Sequence, residues 1–291
     1  MSYMHIPNLY KEQDILLFKE CYALEKIDGT SAHVTWKEGR LSFFCGGIKQ
    51  AAFEGLFDAV KLAEKFVALS LPAITVYGEA YGGKIQGRKD IYGLNIKFVA
   101  FEVRVGDSWL VVPQAEDVCK NLGIEFIPYM KISTDLVTID AVRDCPSEQA
   151  QRNGCGEDKM REGIVLRAPI EVRKNNGERI IAKHKRDEFK ETTTGRGMAP
   201  EALKLLTDAK AIADEWVTEM RLTHVLDLFP NTDITKTGDI IKAMYEDIVR
   251  EGAGEFVDSK QVHTAIGRAT ALMFKKRLES VLYEKKDEEA K

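Results

Sequence analysis

A lysine in a turn between two predicted strands is the first residue whose setting could support chemistry. Lys26 lies in residues 25–30, which read Glu-Lys-Ile-Asp-Gly-Thr. A lysine that is held rigidly and partly desolvated at such a point can act as a neutral amine nucleophile. Asp28 and Gly29 would shape the turn and bring the backbone close to a ligand. The pattern alone is also compatible with an ordinary turn that exposes a lysine.

Three carboxylates lie at or within predicted strands further along the chain. Glu79 ends one strand and precedes a glycine-rich segment, residues 82–87, which lacks the Gly-Lys-Ser/Thr of a Walker loop. Glu102 interrupts the apolar strand 98–103, and a buried carboxylate needs a partner or a catalytic reason. Glu162 begins a further strand. Taken singly, each carboxylate is a weak indication of function.

Two lysines share one face of a later predicted strand. The period of a strand places Lys183 and Lys185 on the same side, with His184 on the opposite side. Like charges at neighbouring positions repel, so the pair needs a shared anion, and a phosphate is the obvious candidate. We interpret His184 as a partly buried strand residue.

The overall composition excludes several classes of protein. The 291 residues are 44% hydrophobic and 30% charged, which fits neither a disordered tail nor a membrane protein. The net charge is −4 at pH 7, so any polyanion must meet locally placed lysines and arginines. Five scattered cysteines without a C-x-x-C spacing indicate reduced thiols rather than a zinc site or a disulfide framework. Because residues 1–14 lack the features of a signal peptide, we expect a cytoplasmic protein with no membrane partner.

Strand and helix patterns alternate over the first two-thirds of the chain. The sequence predicts a strand at residues 31–36, a turn at 37–40 and a return strand. Amphipathic helices are predicted over residues 51–69 and, closed by Gly123, over residues 114–122. Further strands are predicted at residues 73–79, 97–105, 108–112, 163–167 and 179–185.

The composition changes after Phe189. Residues 192–197 read Thr-Thr-Thr-Gly-Arg-Gly, which is typical of a linker. Three amphipathic helices follow, with apolar faces at residues 205–220, 241–248 and 262–273. The sequence therefore predicts an α+β domain over residues 1–197 and a small all-helical domain over residues 198–291.

In this order, the five segments resemble the motifs of the covalent nucleotidyltransferases, the superfamily of ATP-dependent DNA and RNA ligases and mRNA capping enzymes. Within it, the sequence is most similar to the T4 RNA ligase 2 family. The matching segments are Glu25-Lys26-x-x-Gly29-Thr30, Tyr77-Gly78-Glu79-x-x-Gly82-x-x-Ile85-Gln86, Phe101-Glu102, Glu162-Gly163-x-Val165-Leu166 and Ala182-Lys183-x-Lys185. The resemblance implies an ATP-grasp-like ligase domain of antiparallel sheets with flanking helices. A helical C-terminal domain fits this family, whereas DNA ligases and capping enzymes have a strand-rich OB domain there.

The resemblance also implies a role for each charged residue of the motifs. Lys26 would attack the α-phosphorus of ATP and form a lysyl-AMP intermediate. Lys183 and Lys185 would bind the α-phosphate and offset the charge that develops on it. Glu162 and Glu102 would hold a divalent metal, Mg²⁺ or Mn²⁺, largely through its waters.

The remaining motif residues would bind the nucleoside part of ATP. Phe101 is expected to stack on adenine and Glu79 to hydrogen-bond the ribose. Glu25 and Gly29, which flank the lysine in the first motif, are expected to belong to the same site. AMP would then pass to a 5′-phosphate, and a 3′-hydroxyl would attack the activated end.

The expected partners are RNA ends, or nicks in a duplex, with a 3′-hydroxyl and a 5′-phosphate, and the expected state is a monomer. Asp28 favours a DNA ligase instead, because many members of this RNA ligase family have His there. A nucleic-acid binder that has lost the chemistry is a further alternative. The basic residue that would meet the 5′-phosphate is Arg40 or Lys49. The C-terminal helices, with Arg221, would either engage the nicked duplex or only complete a core.

Overall fold

The chain divides into two compact units. The computed structural model describes residues 3–174, 176–189, 200–229 and 232–289, and only the backbone of residues 200, 202–203 and 282–289. The first unit comprises Met1–Ile15 and Lys19–Arg196, and the second comprises Leu16–Phe18 and Gly197–Lys291. The linker predicted at residues 192–197 lies outside the described residues.

Two antiparallel sheets form the first unit. Its strands are β1 (Glu20–Lys26), β2 (Thr30–Lys37), β3 (Arg40–Cys45), β4 (Ala73–Tyr81), β5 (Lys97–Val105), β6 (Ser108–Trp109), β7 (Tyr129–Ser133), β8 (Gly163–Arg167) and β9 (Ile181–Lys185). The larger sheet has the order β3-β2-β4-β5-β6 and the smaller sheet the order β7-β1-β8-β9. The predicted α+β class, with antiparallel sheets and a helical C-terminal region, is confirmed.

In the described part of this unit, six α-helices accompany the sheets, and two of them correct a prediction. They are α1 (Gln50–Glu54), α2 (Ala59–Ala68), α3 (Lys89–Tyr92), α4 (Val112–Leu122), α5 (Leu136–Arg143) and α6 (Glu148–Arg152). The single helix predicted over residues 51–69 is wrong, because Gly55 closes α1 and Asp58 begins α2. The Asp58 carboxylate accepts a hydrogen bond of 3.2 Å from the Lys61 backbone N–H, which is the usual N-cap contact.

The end of β6 differs from the sequence prediction as well. A strand was expected over residues 108–112, but the strand ends at Trp109 and α4 begins at Val112. Pro113 lies in the first turn of α4, where a missing N–H breaks no helical hydrogen bond. Gly123 closes this helix in the left-handed conformation, with φ at 71°, as predicted.

The core of the first unit lies on one face of the larger sheet. Ala32 and Val34 of β2 are completely buried, whereas Ser31 and His33 between them are only partly buried. The completely buried Phe53 of α1 and Phe66 of α2 belong to the same core, together with residues of β4, β5 and α4. The helices therefore cover one face of this sheet and leave the face of Ser31 and His33 for other contacts.

The second unit is helical. Its helices are α7 (Pro200–Trp216), α8 (Glu219–Leu226), α9 (Thr237–Glu251) and α10 (Lys260–Glu289). The first of the three predicted helices is divided at Thr218, whose hydroxyl accepts a hydrogen bond from the Arg221 backbone N–H and so begins α8. Buried apolar residues such as Ile240, Met244 and Ile266 form the core. Within the described chain, every helix is too short or too polar to cross a membrane.

Gly78 is predicted to be essential for the packing of β4 against β5. A Cβ at this position would lie 2.3 Å from the Val99 carbonyl oxygen and 2.5 Å from the Phe98 ring. The backbone of β5 can move away from such a Cβ only at an energetic cost. Gly78→Ala should therefore lower the free energy of unfolding of the first unit, measured by urea denaturation, by at least about 1–3 kcal/mol. Gly46→Ala is the control, since its Cβ would meet ordinary contacts of 3.5 Å or more. Equal stability of the two variants would contradict this packing.

Candidate active site

The register of the smaller sheet brings the predicted nucleophile and the later lysines together. Lys26 of β1 lies opposite Gly163 of β8, and Gly163 lies opposite Lys185 of β9. Two residues inward, Val165 lies opposite Lys183. Residues directly opposite one another, and residues two apart on a strand, share a face of the sheet. The three lysines therefore project from the same face.

A single carboxylate bridges two of these lysines. Glu162 directly precedes β8, and its Oε2 lies 2.8 Å from Lys26 Nζ while its Oε1 lies 2.8 Å from Lys185 Nζ. The Glu162 side chain is only 4% exposed, whereas that of Lys26 is 23% exposed. The chain thus supplies an anion that two lysines share, but the two are Lys26 and Lys185 rather than the Lys183 and Lys185 of the sequence pattern. We name this group the Lys26–Glu162–Lys185 cluster.

The larger sheet contributes Glu79 beside the cluster. Glu79 lies opposite Ser31, and the nearby Gly29 backbone N–H acts to lower the pKa of its carboxylate. Burial raises the pKa of Glu79 from 4.5 to about 8, with Lys26 opposing the shift and the charge of Glu162 adding to it. A Cβ on Gly29 would lie 2.5 Å from the Ala80 carbonyl oxygen, so only glycine allows the turn after Lys26 to approach β4 this closely.

A β-bulge explains why two adjacent residues of β5 face the same space. Tyr77 lies opposite Glu102 and Gly78 lies opposite Ala100, which leaves Phe101 as an extra residue on β5. Such a residue interrupts the alternation of side chains and redirects them. Phe101 and Glu102 consequently both line one cavity, although a regular strand would place them on opposite faces.

We name this space the Lys26 cavity. Its volume is about 160 Å³, and it is lined by Tyr3, Met4, Ile6, Leu24, Glu25, Lys26, Ile27, Ser31, Glu79, Phe101, Glu102, Ile127, Val165, Arg167 and Ile181. Both sheets of the first unit contribute. Within the described residues, two buried polar atoms of the lining, Ser31 Oγ and Arg167 Nη1, have no hydrogen-bond partner. The lining thus offers unmatched polar groups to a ligand.

Glu102, the second predicted metal ligand, does not join the Lys26–Glu162–Lys185 cluster. It is completely buried and accepts hydrogen bonds from Arg179, with Nη1 at 2.8 Å and Nη2 at 2.5 Å. Arg167 Nη2 lies 2.7 Å from the same carboxylate, and the Tyr3 hydroxyl also donates to it. These contacts hold the pKa of Glu102 below its usual value despite burial. Two arginines therefore occupy the position that a metal would need.

Sequence reasoning missed the contribution of the N-terminal segment. The Tyr3 ring packs edge-on against Phe101, with ring centroids 4.9 Å apart. The segment is fixed to β9 because Lys183 N–H donates to the Pro7 carbonyl and Leu9 N–H donates to the Lys183 carbonyl. No sequence signal could have located it, since its strand-like pairing is a single bridge that involves Asn8. Arg167 ends the strand that the sequence predicts at residues 163–167, but its position in the cavity lining depends on the fold.

The Glu25 side chain points away from the Lys26 cavity. Its carboxylate accepts hydrogen bonds from Ser147 Oγ at 2.5 Å and from the Glu148 and Gln149 backbone N–H groups at 2.9 and 3.2 Å. These donors form the N-terminus of α6, which favours a negative charge. Because these contacts engage the carboxylate, it has a structural role, and only the backbone of Glu25 is left to contact a ligand.

Several other sequence candidates lie away from the cluster or are already paired. Arg40 lies opposite Lys37, at the far end of β2, roughly 20 Å along the strand from Thr30. Lys49 is exposed at the start of α1. His184 contacts Asp140 and Arg143 on the face opposite the lysines, at 2.6 and 2.8 Å. In the second unit, Arg221 is paired with Asp247 and Glu251, which favours a structural role for this residue.

Glu102→Gln is predicted to destabilise the protein even when no metal is present. Among the described residues, the change leaves the buried Arg167 and Arg179 with Glu171 as their one acidic partner. Breaking a buried ion pair costs about 3–5 kcal/mol, so urea denaturation in a chelator should show a loss of that size. Glu171→Gln, at a side chain that is 23% exposed, should cost less. Unchanged stability in Glu102→Gln would contradict the assigned contacts.

The raised pKa of Glu79 predicts a pH-dependent stability. Between its ordinary pKa of 4.5 and about 8, the folded protein retains a proton that the unfolded chain has lost, so the free energy of unfolding decreases as the pH rises. Glu79→Gln removes the group that titrates. From about pH 5 to pH 8, the free energy of unfolding of this variant should therefore rise relative to that of wild type by about 1 kcal/mol per pH unit. Urea denaturation at several pH values measures it. Glu64→Gln, on the exposed side of α2, controls for the loss of an acidic side chain. The same pH dependence of stability in all three proteins would contradict the raised pKa of Glu79.

The solved structures that are similar to this chain include several forms of one enzyme. A mutant of Naegleria gruberi RNA ligase with ATP and Mn is 18% identical, with a TM-score of 0.50, and the match covers 65% of this chain and 56% of that one. The Naegleria gruberi RNA ligase with PPi is also 18% identical, with a TM-score of 0.51 and coverage of 65% and 57%. At these identities the likeness establishes the fold, and this chain spans little more than half of each matched chain.

Sequence comparison identifies the family. No curated protein sequence matches the chain significantly. A family model described as RNA ligase matches residues 19–185, a range that contains the Lys26–Glu162–Lys185 cluster and the other residues of the sequence motifs. Because this match covers more than half of the 291 residues, the chain belongs to the RNA ligase family.

Proposed function

We propose that this protein is an ATP-dependent RNA ligase that joins a 3′-hydroxyl to a 5′-phosphate through a lysyl-AMP intermediate. The observation that supports it most directly is the Lys26–Glu162–Lys185 cluster. It places an amine, a carboxylate and a second amine within 2.8 Å contacts at the edge of the Lys26 cavity. The first unit, residues 1–197 by the sequence boundary, would be the adenylyltransferase domain. Residues 198–291 would be its helical C-terminal domain.

In the first step, Lys26 Nζ loses a proton and attacks the α-phosphorus of ATP. A nitrogen–phosphorus bond forms, the bond from the α-phosphorus to the bridging oxygen breaks, and pyrophosphate leaves with the bonding electrons. The Glu162 carboxylate lies 2.8 Å from Lys26 Nζ, within reach of the departing proton. Lys185 and Lys183 on the same face would bind the α-phosphate oxygens and offset the charge that develops there.

The residues around the cluster suit a divalent metal that is held in part by the substrate. Among the described residues, no group of three or more His, Cys, Asp or Glu side chains could hold a metal ion. Mg²⁺ is commonly bound through one or two carboxylates together with substrate phosphates and water, so Glu162 is the residue that fits. We assign no metal to Glu102, because Arg167 and Arg179 already bind its carboxylate. A bound Mg²⁺ or Mn²⁺ would supply charge neutralisation on the phosphates.

The nucleoside would occupy the Lys26 cavity. Phe101, which the bulge directs into this space, would stack on adenine. Glu79, with its pKa near 8, is largely protonated at neutral pH and can both donate to and accept from ribose hydroxyls. The unpartnered Ser31 Oγ and Arg167 Nη1 are further polar contacts available to the ligand. The Naegleria gruberi RNA ligase structures with ATP and with AMP are in line with this use of the fold.

In the second and third steps, AMP passes to a 5′-phosphate and a 3′-hydroxyl then attacks the adenylylated end. Activation as a mixed anhydride provides AMP as the leaving group. The family match favours RNA ends as substrates, including nicks in a duplex, and the chain would act as a monomer. A DNA ligase remains the second candidate because of Asp28, and a non-catalytic nucleic-acid binder the third.

Nick sealing tests the proposal and separates these candidates. Wild-type protein with ATP and magnesium should seal a nick whose 3′-hydroxyl strand ends in ribose faster than one that ends in deoxyribose, since a ribose 2′-hydroxyl can be recognised. Lys26→Ala should lose at least about 1000-fold in rate, because the nucleophile is absent. Lys37→Ala is the matched control at an exposed lysine at the far end of β2.

Each outcome points to one candidate. Equal rates on the two nicks would contradict the preference for RNA, and a faster deoxyribose nick would support the DNA ligase. Nick binding without sealing in the wild type would support the non-catalytic binder. Sealing from ATP by Lys26→Ala would contradict the role of Lys26.

A further inference from the structure

Arg88 links the two chain segments that leave the Lys26–Glu162–Lys185 cluster. Asp28 follows Lys26 by two residues, and Phe189 follows Lys185 by four. The Arg88 Nε–H donates to Asp28 Oδ2 at 2.5 Å, and the guanidinium carbon lies 4.8 Å from the centroid of the Phe189 ring. The three proposed reaction steps use neither contact. An arginine that contacts the turn after the nucleophile thus has no assigned role.

The contacts of Arg88 orient its guanidinium and leave the far end of the group available. A guanidinium has five N–H donors, and the bond to Asp28 uses one of them. Among the described residues, Nη1 and Nη2 have no hydrogen-bond partner, and the side chain is 37% exposed. Asp28 fixes one edge and Phe189 packs on one face, so the paired nitrogens are preoriented. Arginine binds phosphate through two such parallel N–H groups.

The segment that contains Arg88 is attached to the turn after Lys26. The Gln86 side-chain amide donates to the Gly29 carbonyl at 3.3 Å, and the Asp28 backbone N–H donates to the Tyr92 hydroxyl at 3.4 Å. These contacts lie on both sides of Arg88 in the sequence. The distance between the guanidinium and the turn is therefore set by the fold rather than by the side chain alone.

The charges near Lys26 make a further cation useful there. The carboxylates of Asp28 and Glu162 both lie close enough to Glu79 for their charges to raise the pKa of that residue. An incoming phosphate would be repelled by ionised carboxylates unless each has a cation. Lys26 and Lys185 neutralise Glu162, and Arg88 neutralises Asp28. Arg88 can keep its bond to Asp28 through Nε while the Nη1 and Nη2 N–H groups donate to phosphate oxygens.

We propose that Arg88 binds a phosphate group of the reacting substrates beside Lys26, through Nη1 and Nη2. This inference rests on the proposed ligase function. Two substrate groups have the required chemistry: the β- and γ-phosphates of ATP, which leave as pyrophosphate, and the 5′-phosphate of the RNA end. Arg88 is better placed for this than Arg40, which lies at the far end of β2.

Single-turnover measurements on the full chain separate the two sources of phosphate. The first follows lysyl-AMP formation from labelled ATP as a function of ATP concentration. The second follows AMP transfer from preformed lysyl-AMP enzyme to RNA with a 5′-phosphate. Arg88→Ala should slow one of these steps about 10- to 100-fold, the usual effect of losing a hydrogen bond to a charged group. Arg88→Lys should recover part of the rate, and Lys89→Ala, at the exposed neighbouring position, should match wild type.

The pattern of effects decides the question. Loss confined to lysyl-AMP formation, with a higher ATP requirement, assigns Arg88 to the ATP phosphates. Loss confined to AMP transfer, together with loss of the wild-type preference for 5′-phosphorylated over 5′-hydroxyl RNA in binding, assigns it to the RNA end. Rates within about twofold of wild type in both steps would overturn the proposal. An equal loss in both steps, with a lower thermal unfolding midpoint and no recovery in Arg88→Lys, would show that Arg88 only clamps the turn.

Failure of this inference can be distinguished from failure of the proposed function. A wild-type protein that forms no lysyl-AMP contradicts the ligase function itself. A wild-type protein that forms lysyl-AMP and seals RNA, beside an Arg88→Ala protein that does both equally well, contradicts only the role of Arg88.

Discussion

The bridging of Lys26 and Lys185 by Glu162 is the interaction on which the rest of the site depends. Lys26 on β1 and Lys185 on β9 lie on either side of β8, and their ammonium groups would repel one another without the buried carboxylate that contacts both. The strand register fixes this geometry, because Lys26, Gly163 and Lys185 lie in one row across the smaller sheet. In the proposed reaction, a phosphate would enter beside amines that are already positioned, so little reorganisation would be needed.

The larger sheet provides the other wall of the Lys26 cavity through two departures from regular strand geometry. Gly29 lets the turn after Lys26 approach β4 so closely that a Cβ there would lie 2.8 Å from Cγ of Glu79. The bulge on β5 turns both Phe101 and Glu102 toward one space. Glu102 then pairs with two arginines and the Tyr3 hydroxyl, which holds the back of the cavity in place. The proposed adenine site is therefore supported by a buried ionic network rather than by apolar packing alone.

Sequence patterns were sufficient for the parts of this fold that depend on local periodicity. They located most of the strands, the lysine pair of β9 and the lysine of β1, because alternation and turn residues are read from consecutive positions. They gave no indication of β7 (Tyr129–Ser133). They could not reveal the bulge at Phe101, the arginine partners of Glu102 or the insertion of Tyr3, since these depend on register and long-range contact. The break between α1 and α2 was missed for a different reason, namely that capping by Asp58 interrupts a continuous apolar pattern.

The central claim is that Lys26 is the nucleophile that accepts AMP. The most direct test is to incubate the purified protein with magnesium and α-labelled ATP, denature it, and map the labelled peptide by mass spectrometry. The account predicts one acid-labile AMP adduct on Lys26, lost in Lys26→Ala. Label on another residue, or no adduct from folded protein free of bound AMP, would contradict it. An adduct formed from GTP but not from ATP would contradict the choice of nucleotide and indicate a capping-type enzyme.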